Sequence, residues 1–186
     1  KYIEKLLLQG QKKIRVWCAA ASSGEEPYTL AMVLDQVCHG KTNDWKILAT
    51  DISTKVLKEA IDGIYDQQRV NGIEVSYLMN YFDRVNIDDK NQFSVKEELR
   101  AHIQFRQANL IQLPKINTQV FDVIFCRNVF IYFSEIDVQK IAMGLSERLL
   151  DRGLFVSGIS EPLRFKDWAL KGVGANCYLK GSDEVT

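Results

Sequence analysis

Apolar positions along this chain alternate between two kinds of segment. Ile14 to Ala19 is a short apolar run ending in small residues and predicts a buried strand, and Trp45 to Thr50 predicts a second strand, ending at Asp51. Between them Leu30, Val33, Leu34 and Val37 recur at helical spacing. Pro27 stands in the first turn of that helix, where its missing N–H has no intrahelical partner to lose. Beyond Asp51, Ser53 or Thr54 suits a helix cap, and Leu57, Ala60, Ile61 and Ile64 keep the helical period. This strand-helix-strand-helix order predicts a parallel sheet with helices on both faces.

The alternation breaks over residues 65–102, which are polar and aromatic. There Val75 to Phe82 reads as a helix, and two short alternating runs flank Asp88-Asp89-Lys90-Asn91 as a hairpin. The segment is expected to be an insertion lying on the core of one domain spanning residues 1–186. Ile103 to Arg106 resumes the sheet and leads to Asn109, and Phe121 to Cys126 is a strand ending at Arg127-Asn128. Asp137 to Leu150 reads as a helix, with Ile141, Leu145, Leu149 and Leu150 on its face and Asp151-Arg152-Gly153 as its stop. Leu154 to Ile159 is the next strand, and Ala169–Val173 with Asn176–Lys180 form a closing hairpin around Gly174-Ala175.

Composition narrows the function classes. The 24 Lys and Arg balance the 24 Asp and Glu, so a nucleic-acid partner is not expected. No apolar run reaches membrane-spanning length, so no membrane insertion is expected. Cys18, Cys38, Cys126 and Cys177 show no paired spacing; they read as core thiols of a reducing cytosol, with no metal site. His39 and His102 are the only histidines, which leaves little material for histidine catalysis. The opening KYIEKLLLQG reads as a helix entered midway, so the chain is expected to be a fragment of a longer protein.

In an open parallel sheet, ligands bind outside the carboxyl ends of the strands. Those ends carry Glu25 and Glu26 after a turn of small residues, then Asp51, Asn109 and Arg127-Asn128. A dinucleotide site wants several glycines so that backbone N–H groups can approach pyrophosphate. Here Gly24 is alone in the turn and two carboxylates follow it. Repulsion between those charges and a phosphate amounts to several kcal/mol at an effective dielectric of about 20. The expected ligand is therefore cationic and free of phosphate. S-adenosylmethionine has that character, and Asp51 fits its ribose hydroxyls. Each residue also has a plainer reading. Glu25 and Glu26 favour the dipole of the helix they open, Asp51 caps the next helix, Arg127 is a surface charge, and Asn128 is a turn residue.

VWCAAASSGEEPYTLAM, ILATDIS, the Ala108-Asn109-Leu110 triplet and FDVIFCRNVFIYF closely resemble the CheR-type chemotaxis receptor methyltransferases, over about Arg15 to Lys180. The resemblance implies an α/β, Rossmann-like class I S-adenosylmethionine-dependent methyltransferase fold. That fold has a mostly parallel sheet, a C-terminal antiparallel hairpin and a small inserted β-subdomain. It implies a cytoplasmic protein-glutamate O-methyltransferase, with S-adenosylhomocysteine as product, acting on the cytoplasmic signalling helices of chemoreceptors. Cofactor contacts then fall on Ala19, Glu25, Asp51, Asn109, Leu110, Arg127 and Asn128, and Tyr132 and Asn128 stand near the transferred methyl. The insertion corresponds to a subdomain that in some members docks a peptide from the receptor C-terminus. Family members carry a glycine-rich turn there, whereas Asp88 to Asn91 contains no glycine. The family's upstream helical domain has no counterpart in these residues. A rival reading from another class is a non-catalytic adaptor of a receptor complex that keeps the fold. An amine methyltransferase is disfavoured because RNVFIYF lacks the paired prolines of the Asn-Pro-Pro-aromatic motif.

Overall fold

The computed structural model describes residues 1–113, 119–166 and 168–181. In chain order the first elements are α1 (Tyr2–Leu8), β1 (Lys13–Cys18), α2 (Glu25–Cys38), β2 (Asp44–Asp51), α3 (Thr54–Asp62) and β3 (Ile64–Tyr65). Then come α4 (Gln67–Val70), α5 (Val75–Tyr81), β4 (Phe82–Ile87), β5 (Lys90–Val95), α6 (Glu97–Arg100) and β6 (Ile103–Gln107). The last are β7 (Phe121–Cys126), α7 (Glu135–Ser146), β8 (Leu149–Ser157), β9 (Leu170–Gly174) and β10 (Cys177–Lys180).

The main sheet has the order β6-β2-β1-β7-β8-β10-β9. Its first five strands are parallel neighbours, and β10 runs antiparallel to both β8 and β9. From β1 the chain builds outward through β2 to β6, then returns to the other side of β1 with β7. The direction of winding therefore reverses between β1 and β7, which makes that gap the crevice for a ligand. This is the architecture of class I S-adenosylmethionine-dependent methyltransferases. Ile14, Val16 and Cys18 of β1 join one buried cluster with α2, while Trp17 joins a second with α7. Burial on both faces is why β7 and the end of β1 read as continuous apolar runs, whereas β2 alternates, with Lys46 exposed between Trp45 and Ile47. Ile14, Ile47 and Ile124 are essentially inaccessible, and each such side chain contributes about 1.5–3 kcal/mol of burial.

The segment 65–102 forms much of a second, three-stranded sheet, β3-β5-β4. Its residues Tyr65, Val70, Phe82, Phe93, Val95 and Leu99 belong to the same buried cluster as β1 and α2, so this sheet shares the main core. The β4–β5 turn is shorter than the sequence predicts. It consists of Asp88 and Asp89 alone, both at positive φ (49° and 59°), while Ile87 faces Lys90 and Asn86 faces Asn91 in the ladder. Two left-handed residues are what a two-residue hairpin turn needs, and Asp tolerates that region better than most residues.

Two helix predictions are also corrected. Ile64, read with Leu57, Ala60 and Ile61, lies beyond the end of α3 at Asp62 and belongs to β3. The helix read as Asp137 to Leu150 is α7, which runs from Glu135 to Ser146. Its cap is Ser134, whose Oγ accepts the Asp137 N–H. Leu149 and Leu150 belong to β8, where Leu149 faces Phe121. The four-residue spacing of Leu145 and Leu149 mimics a helical face, but Leu149 is claimed by the sheet. The Asp151-Arg152-Gly153 stretch is an irregularity inside β8, with Arg152 at φ 62°.

Candidate functional site

At the carboxyl ends of β1, β2 and β7 lies a cleft of about 480 Å³. Ala20, Ala21, Ser22, Glu25, Glu26, Asp51, Ile52, Arg127, Asn128, Val129 and Tyr132 line it. The turn after β1 is small because it is wedged between neighbours. Ala19 N–H donates to Phe125 O at 2.8 Å and Ala21 N–H to Thr50 O at 2.8 Å, and both alanines are buried. Gly24 then takes φ 97°, and a Cβ there would lie 2.7 Å from the Tyr65 hydroxyl. Only glycine meets both constraints.

Four backbone N–H groups in and before the turn are already committed. Those of Ala19 and Ala21 serve the sheet, that of Gly24 donates to Ala21 O, and that of Ser22 donates to Asp51 Oδ2 at 2.9 Å. Asp51 Oδ1 accepts the Ser53 N–H at 3.0 Å. Asp51 thus ties the turn after β1 to the start of α3, whose side-chain cap is Ser53. One lone pair on each Asp51 oxygen is left for a ligand hydroxyl.

The two acids that open α2 have separate partners. Glu25 is ion-paired with Arg69, which also donates to Ser23 Oγ at 2.7 Å, and Ser23 Oγ donates to Glu25 Oε2 at 2.9 Å. Arg69 comes from α4, within the segment 65–102. Glu26 accepts from Arg127 Nη1 at 2.6 Å and from the Cys18 thiol at 3.1 Å. Burial and the Glu26 carboxylate together push the Cys18 thiol well above the ordinary range. Among the described residues Asp51 is in no ion pair. Three carboxylates against two guanidiniums leave the cleft one charge negative, which suits a cationic ligand and opposes a phosphate.

Of the residues read from the sequence, Glu25, Asp51, Arg127, Asn128 and Tyr132 converge on the cleft. Ala19 lies buried beneath it, and Leu110 is buried in the second cluster. Asn109 accepts the Ile111 N–H on its own Oδ1 at 3.0 Å, capping a short 3-10 turn, and does not line the cleft. Two charged residues were missed. Arg69 gives no signal in sequence because it meets Glu25 from α4, 44 positions along the chain. Glu161, buried after β8, accepts backbone N–H groups of the loop that carries Asn128. A carboxylate four residues beyond the end of β8 was the signal available.

The donor set fits S-adenosylmethionine: carboxylates for an ammonium and for paired ribose hydroxyls, net negative charge, and room for a nucleoside.

The family profile described as "CheR methyltransferase, SAM binding domain" matches residues 1–177. A chemotaxis protein methyltransferase of Borreliella burgdorferi is 40% identical over 166 residues, covering 88% of this chain and 58% of that protein. A chemotaxis protein methyltransferase of Escherichia coli is 38% identical over 147 residues, covering 79% of this chain and 51% of its own length. The chain therefore spans between half and three-fifths of those relatives. Among solved structures, the glycopeptide N-methyltransferase MtfA complexed with sinefungin superposes with a TM-score of 0.50 at 16% identity, covering 89% of this chain and 54% of that one. That likeness speaks to the fold alone.

Proposed function

This chain belongs to the CheR methyltransferase family, and on that premise we propose that it methylates glutamate side chains on the cytoplasmic signalling helices of chemoreceptors, giving glutamate methyl esters. The observation that carries the reading is the cleft at the β1/β7 reversal, where Glu25, Asp51, Arg127, Asn128 and Tyr132 meet around a net negative charge. S-adenosylmethionine, when bound, supplies a methyl carbon activated by its sulfonium.

The roles of the chain's own residues follow from their chemistry. Asp51 accepts from paired hydroxyls on the lone pairs its backbone bonds leave free. Glu25, held by Arg69 and Ser23, presents a carboxylate to an ammonium. Arg127 holds Glu26 and so keeps the second acid turned toward the protein. Asn128 and Tyr132, at the mouth, orient the incoming carboxylate oxygen and keep water from it. No general base is required, because a glutamate of pKa about 4.3 is already ionised near neutral pH. With S-adenosylmethionine bound, the part of the chain is to hold the carboxylate oxygen against the methyl and to exclude water between them. Alignment of this kind supplies roughly 7–11 kcal/mol. Ester formation also removes a like-charge repulsion on the receptor helix of about 0.2–0.5 kcal/mol per pair.

The test pairs calorimetry with chemistry on the full-length protein. S-adenosylhomocysteine should give a binding heat, and receptor cytoplasmic fragments should gain base-labile methyl esters. Absence of heat would point to an adaptor, and methyl groups stable to base would point to an amine acceptor.

A further inference from the structure

The strand β8 ends at Ser157, and the chain turns back at once through Gly158-Ile159-Ser160-Glu161. Glu161 N–H donates to Gly158 O at 2.9 Å, and Ser157 Oγ donates to Glu161 O at 2.7 Å, so the turn is closed on both sides. This aims the buried Glu161 carboxylate at the loop that follows β7. Oε2 accepts the N–H of Asn128 at 2.7 Å and of Gly158 at 3.0 Å. Oε1 accepts the N–H of Phe130 at 2.8 Å and of Ile131 at 3.4 Å. With two donors on each oxygen, the carboxylate's acceptor capacity is filled.

Three of those four donors lie in the loop that carries Asn128 and Tyr132 into the cleft. Within that loop Tyr132 N–H returns to Val129 O and Phe133 N–H to Phe130 O. Among the described residues, the hydrogen bonds that tie Asn128, Phe130 and Ile131 to another segment all end on Glu161. Asn128 sits at φ 56°, a conformation the loop must be held in. Gly158 leaves the room: a Cβ there would lie 2.3 Å from Glu161 Oε2 and 3.0 Å from Asn128 N.

We infer that Glu161 is a positioning residue for the acceptor side of the cleft, fixing the loop from which Asn128 and Tyr132 reach the transferred methyl; this rests on the methyltransferase reading above. Glu161 does not line the cleft itself. Its loss acts through the loop, while Glu25 and Asp51, on the β1 and β2 side, keep their own partners. The signature is therefore a fall in kcat without an equal fall in cofactor affinity.

The experiment compares full-length wild type with Glu161→Gln and Gly158→Ala, measuring thermal stability, S-adenosylhomocysteine binding and methyl-ester formation on a receptor cytoplasmic fragment. Gln keeps the shape but turns an N–H₂ toward backbone donors, and the Ala methyl displaces the carboxylate without changing its charge. Each folded variant is expected to lose at least about thirtyfold in kcat, with affinity for S-adenosylhomocysteine within about fivefold of wild type. If either folded variant keeps kcat within about threefold, or loses cofactor affinity as steeply as kcat, the inference fails. Global unfolding of both variants also overturns it, since the carboxylate would then hold the fold rather than the loop. A wild type that forms no ester refutes the methyltransferase reading and this inference with it. An active wild type beside active variants refutes this inference alone.

Discussion

Arg127, at the end of β7, donates to the Glu26 carboxylate in the first turn of α2 at 2.6 Å, across the gap where the sheet reverses its winding. The pair is partly shielded, with the two side chains 34% and 22% exposed. It takes Glu26 out of the set of charges a ligand meets. A double-mutant cycle with Glu26→Gln and Arg127→Ala should give a coupling of about 1 kcal/mol in urea unfolding. Glu26→Gln alone should leave S-adenosylhomocysteine affinity within about threefold of wild type. A tenfold loss would place Glu26 in direct contact with the cofactor.

Asp51 is the opposite case. Its two oxygens hold the Ser22 and Ser53 N–H groups and it has no cationic partner among the described residues. Asp51→Ala should weaken S-adenosylhomocysteine binding by at least about tenfold, the loss of a charge-assisted hydrogen bond, and should destabilise the fold by about 1–2 kcal/mol through the two stranded donors. Asp51→Asn keeps one acceptor oxygen and should recover part of the stability but little of the affinity. Calorimetry and thermal melts separate the two effects; unchanged affinity would remove Asp51 from the site.

Much of this arrangement was legible in the chain. β7 and the end of β1 are buried on both faces and β2 alternates about a buried face, so these strands had few alternatives, and the acids after β1 and β2 stood out against them. The turn after β1 was legible because a backbone packed between two strands tolerates only small residues. Leu149 was not legible: its spacing from Leu145 suits a helix, and only its pairing with Phe121 assigns it to β8. Arg69 and Glu161 escaped for a different reason. Each comes from a segment whose path depends on tertiary packing, and no local pattern encodes an ion pair between positions 25 and 69.

Burial holds the phenols of Tyr2, Tyr28 and Tyr81 neutral to high pH. Each is raised to about 12, chiefly by desolvation, with Asp122 adding to the effect at Tyr2 and Asp35 at Tyr81. Tyr65 is raised further still. An unfolded tyrosine ionises near 10, so above that pH the unfolded chain binds fewer protons than the native one. The stability these groups contribute is whole below about pH 10 and is lost as pH rises through about 12. The midpoint of urea unfolding should therefore fall steadily from pH 10 to 12. A flat profile over that range would contradict the burial of these phenols.

The Cys18 thiol is fully enclosed, and both burial and Glu26 disfavour its thiolate. Cys126 is likewise buried, and its thiol is pushed up by burial first and then by Glu161 and Glu26. Only the thiolate attacks alkylating reagents. In the native protein at pH 8, iodoacetamide should modify Cys177, which is partly accessible, well before Cys18 or Cys126. Peptide mapping by mass spectrometry reads the order. Early labelling of Cys18 would mean that the base of the cleft opens in solution.

Tyr132 stands at the mouth of the cleft with 78% of its surface exposed, on a 3-10 turn from Phe130 to Tyr132. No hydrogen bond of its hydroxyl to the described residues accompanies that exposure, so the hydroxyl has no evident structural duty. Its exposure makes Tyr132→Phe nearly neutral for stability, within about 0.5 kcal/mol. If the hydroxyl orients the acceptor oxygen or the methyl, the variant should lose kcat by about ten- to a hundredfold while S-adenosylhomocysteine affinity stays close to wild type. A loss confined to cofactor affinity would instead move Tyr132 to the binding side of the cleft. The contrast with Asp51 is the useful one. Asp51 belongs to the ordered base of the site and should trade in affinity and stability, whereas Tyr132 belongs to its open edge and should trade in rate alone.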